Sequence, residues 1–476
     1  MNKPFLVFIF LLSTIYGLYE EFVEIDRVKL NLVNTALRFK FEGSVKNSAL
    51  YLNPLYQLAA DNHVVHLELS TSQGFWRSDL FGPAKYSNFV SGVQIIASFE
   101  DGYESNFHWK RLVSQLNGLL CTAVLSIGGV LHAKPTLSTQ YWSRNQSNLF
   151  YGAFTGDGIC TENIDSFKKL LPCQNSGFTR LLGSPKYLYE TKFTTAGISV
   201  DRIDGNWHGE VLFSFLMPIG GRGTKFSSIF GSTLSSTCPV ADNSYITVDG
   251  ESKSVKNNEL NATNRDWNVK FGQVSSKEAD LRFFSFTRYK NLLSGSFCSV
   301  VKSKTDKKVL YTHLIPWEIS VWFSSISVKC GNQAIDAKIR STPAVLRKSP
   351  TLIEIEFEVK AHLNCQVSFE FEKSFLYANE YPPDSNHGIT VSGAVLTLTD
   401  SPSTRYYAEP TVITLPSPDV TMPYNVVCFI GTFGALIFQI VFTFTTQYQT
   451  IIKPGPSRIR KLIGRIKETI NKAIKS

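Results

Sequence analysis

Residues able to do chemistry are spread thinly along this chain. Its eight histidines show no HExxH and no pair at metal-ligand spacing. There is no GxSxG elbow, no P-loop and no GxGxxG after a strand. Gly220-Gly-Arg-Gly223 is glycine-rich, but a phosphate loop needs a following helix and a Lys-Ser/Thr pair, so it reads as a flexible turn. His387-Gly388 has the form of a cysteine-protease histidine, whose nucleophile would lie downstream. The only downstream thiol is Cys428, inside a stretch too apolar to meet a solvated histidine. No catalytic residue, metal site or cofactor is therefore expected.

The cysteines hold the remaining chemistry. Seven precede the apolar stretch: Cys121, Cys160, Cys173, Cys238, Cys298, Cys330 and Cys365. An oxidising compartment favours disulfides. Seven is odd, so at least one thiol stays free or bonds to another chain. Two sequons, Asn145-Gln-Ser and Asn261-Ala-Thr, are candidate glycosylation sites and expected surface positions.

These residues need a framework and a compartment. Residues 1–18 read as a secretory signal peptide: Lys3, an apolar run from Phe5 to Leu12, then small and polar residues near Gly17. Val426–Thr445 is uncharged and long enough at the helical rise to cross a bilayer, giving a transmembrane helix over 425–446. Residues 447–476 hold eight basic side chains and one acid, Glu468. The whole chain is +9, so its bulk is close to neutral. The positive-inside rule then puts the tail in the cytosol and the bulk in the lumen, a type I single-pass arrangement. The basic balance describes that tail and gives no reason to expect nucleic acid. Ile459, Leu462, Ile463, Ile466, Ile470 and Ile474 recur at helical spacing, so the tail reads as a basic amphipathic helix on an anionic leaflet.

Between signal and anchor, period-2 patterns dominate. Leu37, Phe39 and Phe41 alternate with Arg38, Lys40 and Glu42; Val65, Leu67 and Leu69 alternate with His66, Glu68 and Ser70. Similar runs surround Trp322, Ile355 and Phe369. Each reads as a strand with one buried and one wet face. Helical patterns are limited to Asn53–Asp61, Ser105–Asn117 and Ile164–Leu171. The fold class is therefore mainly β: sandwich-like lumenal modules with a few helices, one transmembrane helix and the amphipathic tail. The polar run 249–265 is a linker or long loop separating β-rich modules at 19–248 and 266–424. A cell-surface adhesion or receptor ectodomain is one function such a plan allows. Against it, the modules lack the Cys…Trp…Cys spacing of immunoglobulin domains, and no Tyr follows Tyr448 in the tail.

Several strings, in order over nearly the whole length, resemble one family. They are Glu20-Glu-Phe, Leu67–Arg77 with Gly82-Pro83, Cys160-Thr-Glu-Asn, Lys168-Lys-Leu-Leu-Pro-Cys173, Ile315-Pro-Trp317, Phe371-Glu-Lys, Pro383–Gly388, Ala408-Glu-Pro410 and Leu415–Asn425. The chain resembles the PIG-T family, non-catalytic lumenal subunits of the glycosylphosphatidylinositol (GPI) transamidase. Val269–Ser303 matches poorly, and Thr421 stands where the family usually has Ser. The resemblance implies a scaffold in the endoplasmic reticulum membrane. It would hold a caspase-like catalytic subunit beside other membrane subunits and help position the GPI lipid. It also implies that Cys160 forms an interchain disulfide with the catalytic subunit; pairing with Cys173 inside the chain is the alternative. Asn386, Asp419, Thr421 and Asn425, near the lumenal interface, are the implied contacts to the GPI headgroup. Their amide, carboxylate and hydroxyl groups suit sugar hydroxyls and ammonium groups.

Overall fold

Alternating strands with one apolar face are stable only when that face is covered. The chain solves this twice. A computed structural model describes all residues except 1–17, 30, 45–51, 87–88, 123, 144–147, 157, 185–189, 220–224, 235, 255–268, 270, 272–279, 382–386, 417–420, 447–456 and 475–476. It is mainly β, as expected. Residues Met1–Pro416 form one compact unit and Ser417–Ser476 a second.

Ten strands build the first layer: β1 (Leu18–Lys29), β2 (Leu32–Ser44), β3 (Val64–Gly74), β4 (Gly92–Phe99), β5 (His132–Ala133), β6 (Asn148–Phe154), β7 (Phe193–Ile203), β8 (Asn206–Pro218), β9 (Asn243–Val248) and β10 (Glu251–Ser254). Their spatial order is β10-β9-β1-β2-β8-β7-β3-β4-β6-β5. Pairing is antiparallel except for β1 beside β9. Leu37, Phe39 and Phe41 point to one face, as their alternation requires, and helices cover it. Helix α1 (Asn53–Asp61) stacks Tyr56 on Trp207, with centroids 5.6 Å apart. Helix α2 (Ser105–Leu120) turns Trp109, Leu112 and Leu116 inward, all without exposed surface, and Trp109 stacks on Phe150. Helix α3 (Thr161–Lys169) sets Phe167 edge-on to Phe213. Burying each such side chain favours folding by roughly 1.5–3 kcal/mol.

Two five-stranded sheets face each other in the second layer system. One runs β11-β12-β18-β14-β15, from β11 (Leu281–Tyr289), β12 (Ser294–Ser303), β14 (Ile319–Cys330), β15 (Gln333–Ala334) and β18 (Asn364–Lys373). The other runs β16-β17-β13-β20-β21, from β13 (Lys307–Ile315), β16 (Lys338–Thr342), β17 (Thr351–Val359), β20 (Val395–Leu398) and β21 (Arg405–Tyr407). Strands β19 (Ile389–Val391) and β22 (Thr411–Ile413) pair separately. Phe297, Phe369, Tyr311 and Ile355 fill the space between the sheets. The poorly matched stretch from Val269 to Ser303 contains β11 and β12, a regular antiparallel pair.

A third apolar cluster joins the layers. Ile96, Trp142 and Tyr151 of the first pack with Leu314, Leu352 and Val395 of the second. In the second unit, helix α4 (Thr421–Thr446) contains the apolar span and helix α5 (Arg458–Ile474) the basic tail. Tyr424–Thr446 has a mean hydropathy of 2.2, long and apolar enough to cross a membrane. The helix begins earlier than the expected 425. Pro423 explains this, because in a first helical turn its missing N–H has no partner to lose.

Candidate functional site

The Cys160 thiol sits where α3 starts. Thr161 and Glu162 are exposed, while Asn163 and Ile164 turn inward. Cys160 itself is extended (φ −119°, ψ 175°), the usual conformation before a helix. Its amide donates to Asn163 Oδ1 at 2.8 Å, and its Sγ lies 3.0 Å from the same oxygen. Asn163 is 4% exposed and donates through Nδ2 to the carbonyl of Cys121 at 2.6 Å. One buried amide thus ties the start of α3 to the end of α2. Asn163 belongs to the Cys-Thr-Glu-Asn string, and its position three residues into a helix is the signal that it completes a cap.

The far end of α3 is anchored as well. Phe167, Leu170 and Leu171 are buried, and Cys173 bonds Cys238 with Cα atoms 5.7 Å apart. The Gly177 amide donates to the Ser236 carbonyl, and the Phe178 amide to buried Glu21. Cys160 is therefore an exposed thiol on a platform held at both ends. A second disulfide, Cys330–Cys365, links adjacent β14 and β18. The intrachain alternative for Cys160 is excluded because Cys173 is committed to Cys238. Cys121 and Cys160 are free and exposed, Cys298 is free and buried in β12, and Cys428 lies on α4. The exposed Cys121 beside this platform was not singled out by sequence reasoning, since nothing local distinguishes it from the other lumenal cysteines.

The other expected site residues fare differently. Asn145, Asn261, Asn386 and Asp419 lie outside the described residues. Thr421 opens α4, and Asn425 is exposed within its second turn. His387 is exposed, and Gly388 has φ 82°, with the Ile413 carbonyl against the position a Cβ would take. That is a tight turn before β19, as the loop reading of His387 requires. Trp76 of the Gly-Phe-Trp-Arg string is buried against Phe89 and Phe193 and donates to the Gly82 carbonyl at 3.0 Å. Trp317 lies under the Arg347 guanidinium, which also pairs with Glu380. These two tryptophans hold local structure within their own layers. Among the described residues, no group of three or more His, Cys, Asp or Glu could hold a metal ion.

The chain matches the family model described as Gpi16 subunit, GPI transamidase component, over residues 5–215 and 220–470. It is 24% identical to the GPI-anchor transamidase component PIGT of Mus musculus, the match covering 89% of this chain and 87% of that one. The Homo sapiens protein of the same name is 25% identical, over 89% and 88% of the two chains. The GPI transamidase component GPI16 of Saccharomyces cerevisiae is 21% identical, over 81% and 79%.

Proposed function

We propose a role that proceeds from family membership: the chain belongs to the Gpi16 subunit family of GPI transamidase components. It serves as a non-catalytic scaffold of that complex, resident in the endoplasmic reticulum membrane with its bulk lumenal and its tail cytosolic. It holds a caspase-like catalytic subunit through a disulfide from Cys160, meets the other membrane subunits, and helps position the GPI lipid. Asn386, Asp419, Thr421 and Asn425 contact the lipid headgroup. The signal peptide is removed, and Asn145 and Asn261 carry glycans.

The observation that supports this reading is the state of Cys160. It is exposed and unpaired while its intrachain alternative, Cys173, is bonded to Cys238. Its platform is buried and fixed at both ends, so a covalent partner would be held in a defined place. The test is purification of the tagged protein followed by non-reducing electrophoresis. A caspase-like partner should migrate with it as a disulfide-linked species that Cys160→Ser abolishes. Absence of any such partner would defeat the complex assignment, and a crosslink surviving in Cys160→Ser would defeat only the choice of cysteine.

A further inference from the structure

The face of the ten-stranded sheet turned away from its helices carries a cavity of about 430 Å³. Its floor is the wet side of alternating strands: Arg38 on β2, His66 and Glu68 on β3, Asp201 on β7 and Glu210 on β8. Tyr141, Trp142, Ser403 and Arg405 complete the lining, with the Arg405 guanidinium 5.2 Å from the centre of the Trp142 ring. A cavity of this size lies in the ordinary range for small-ligand sites.

Its charges are balanced and already paired. Arg38, Lys85 and Arg405 face Glu68, Asp201 and Glu210. Arg38 Nε donates to Glu210 at 2.9 Å, His66 Nδ1 lies 2.6 Å from Asp201, and Arg405 pairs with Glu68. Burial is the largest influence on the Glu68 carboxyl and pushes it up, but the charges of Arg405 and His66 and the Arg405 hydrogen bond together hold it below the usual range. Two polar atoms are left over. Arg405 Nε and His66 Nε2 are buried without a hydrogen-bond partner, on side chains only 3% and 7% exposed. His66 Nε2 is 3.6 Å from Glu68, too far for a hydrogen bond.

We propose that this cavity binds a short neutral saccharide. Each ion pair sets donors beside acceptors about 3 Å apart. A sugar hydroxyl is both donor and acceptor, so neighbouring hydroxyls satisfy such a couple without disturbing it. A charged ligand would meet three fixed groups of its own sign. An apolar ligand would strand the buried charges and the two unpartnered nitrogens. Half-buried Tyr141 adds aromatic surface at the rim. The sugar has two sources. The Asn145 sequon follows the cavity-lining Ser143 by two residues, so the chain's own glycan is one. A glycan on another molecule is the second. The site needs no part of the transamidase role.

The test uses the full-length protein in detergent from a glycosylating host. Ligand-observed saturation-transfer NMR is run with diacetylchitobiose and mannobiose as neutral probes, and with glucosamine and mannose 6-phosphate as charged ones. A neutral probe should bind at least about ten-fold more tightly than either charged sugar. Ser199→Phe fills the cavity from β7, between its cross-strand neighbours Glu68 and Glu210, and Ser403→Trp adds bulk on the Arg405 side, both leaving every ion-pair residue in place. Each should abolish transfer while the thermal midpoint stays near wild type, and a folded example of either decides the matter. Transfer to wild type assigns the site to an external glycan. Transfer that appears only in Asn145→Gln assigns it to the chain's own glycan. No transfer in either protein, equal binding of charged sugars, or transfer indifferent to both filling variants would overturn the proposal. Because the chain is measured alone, the Cys160 crosslink and this binding succeed or fail separately.

Discussion

Glu21 is fully buried on the core side of β1, in line with Tyr19, Val23 and Ile25. Its carboxylate accepts from the Tyr19 hydroxyl at 2.7 Å and from the Phe178 amide at 3.2 Å. Gly177, at φ 63°, packs so closely that a Cβ there would lie 2.7 Å from Glu21 Oε2. Burial dominates these hydrogen bonds and pushes the carboxyl up to about 6 from 4.5. The folded state therefore holds the proton more tightly than the unfolded chain. Its contribution is complete below pH 4.5 and is lost as pH rises through 6. At about 1.4 kcal/mol per unit, Glu21→Gln should stabilise the fold at pH 7 by about 2 kcal/mol. The gain should vanish near pH 4.5, and urea unfolding at the two pH values would check it. An equal gain at both would remove the carboxyl as its cause. This residue was not singled out in the sequence beyond its place in the Glu20-Glu-Phe string, because a carboxylate on the core side of a strand has no local signal. Cys160 was singled out through the Cys-Thr-Glu-Asn string, and the structure leaves its thiol free and exposed. The Cys173–Cys238 pairing was not legible, since 65 residues separate the two and no local pattern links them.

Period 2 and period 3.6 are local properties, and the elements that depend only on them were readable. Helix α1 occupies the expected 53–61, α2 runs three residues past its expected end to Leu120, and β2, β3, β17 and β18 fall on the alternating runs. The ends shifted where a cap decides them: α2 stops at Cys121, whose left-handed φ of 52° closes the helix. Within α4 the hydroxyls of Thr432 and Thr445 donate to the carbonyls four residues earlier, at 2.8 Å each. A lipid environment demands that kind of internal pairing. Helix α5 leaves Ile459, Leu462, Ile463 and Ile466 each more than half exposed along one face, with basic residues elsewhere. We propose an anionic bilayer surface as its partner, on the ground of that charge and apolar stripe. A peptide spanning residues 457–476 should become helical on vesicles containing phosphatidylserine and bind neutral vesicles far more weakly. Leu462→Glu with Ile463→Glu should cut the partition constant at least about ten-fold, since each exposed aliphatic contributes on the order of 1 kcal/mol. Helicity unchanged between the two vesicle types, followed by circular dichroism, would reject the charge term.

Sheet order belongs to the whole molecule and was not readable, because it rests on contacts between residues hundreds of positions apart. β1 pairs in parallel with β9, and Arg405 on β21 pairs with Glu68 on β3, a separation of 337 residues. The joint between the layers has the same character. Glu354 on β17, 2% exposed, accepts from the amides of Thr136, Leu137 and Ser138 and from the hydroxyls of Thr136 and Ser138, at 2.7–3.2 Å. Trp142 Nε1 donates to Thr397 at 3.0 Å, and the apolar cluster around Tyr151 and Leu352 closes over both contacts. Removing a buried acceptor from several donors costs about 3 kcal/mol or more. Residues 19–248 and 266–424 are proposed as separate modules along the chain, yet this joint should keep them together in solution. Neither disulfide crosses residues 249–265, since Cys173–Cys238 lies before the segment and Cys330–Cys365 after it. A protease site inserted there would therefore leave the halves joined without a covalent bond. After cleavage the fragments should co-elute on size exclusion at micromolar concentration, and Glu354→Ala with Trp142→Ala should separate them. Wild-type halves that part on cleavage would mean the joint is too weak to act as one body. Fragments that stay together in the double variant would place the holding force in the rest of the apolar cluster and in the Arg405–Glu68 pair.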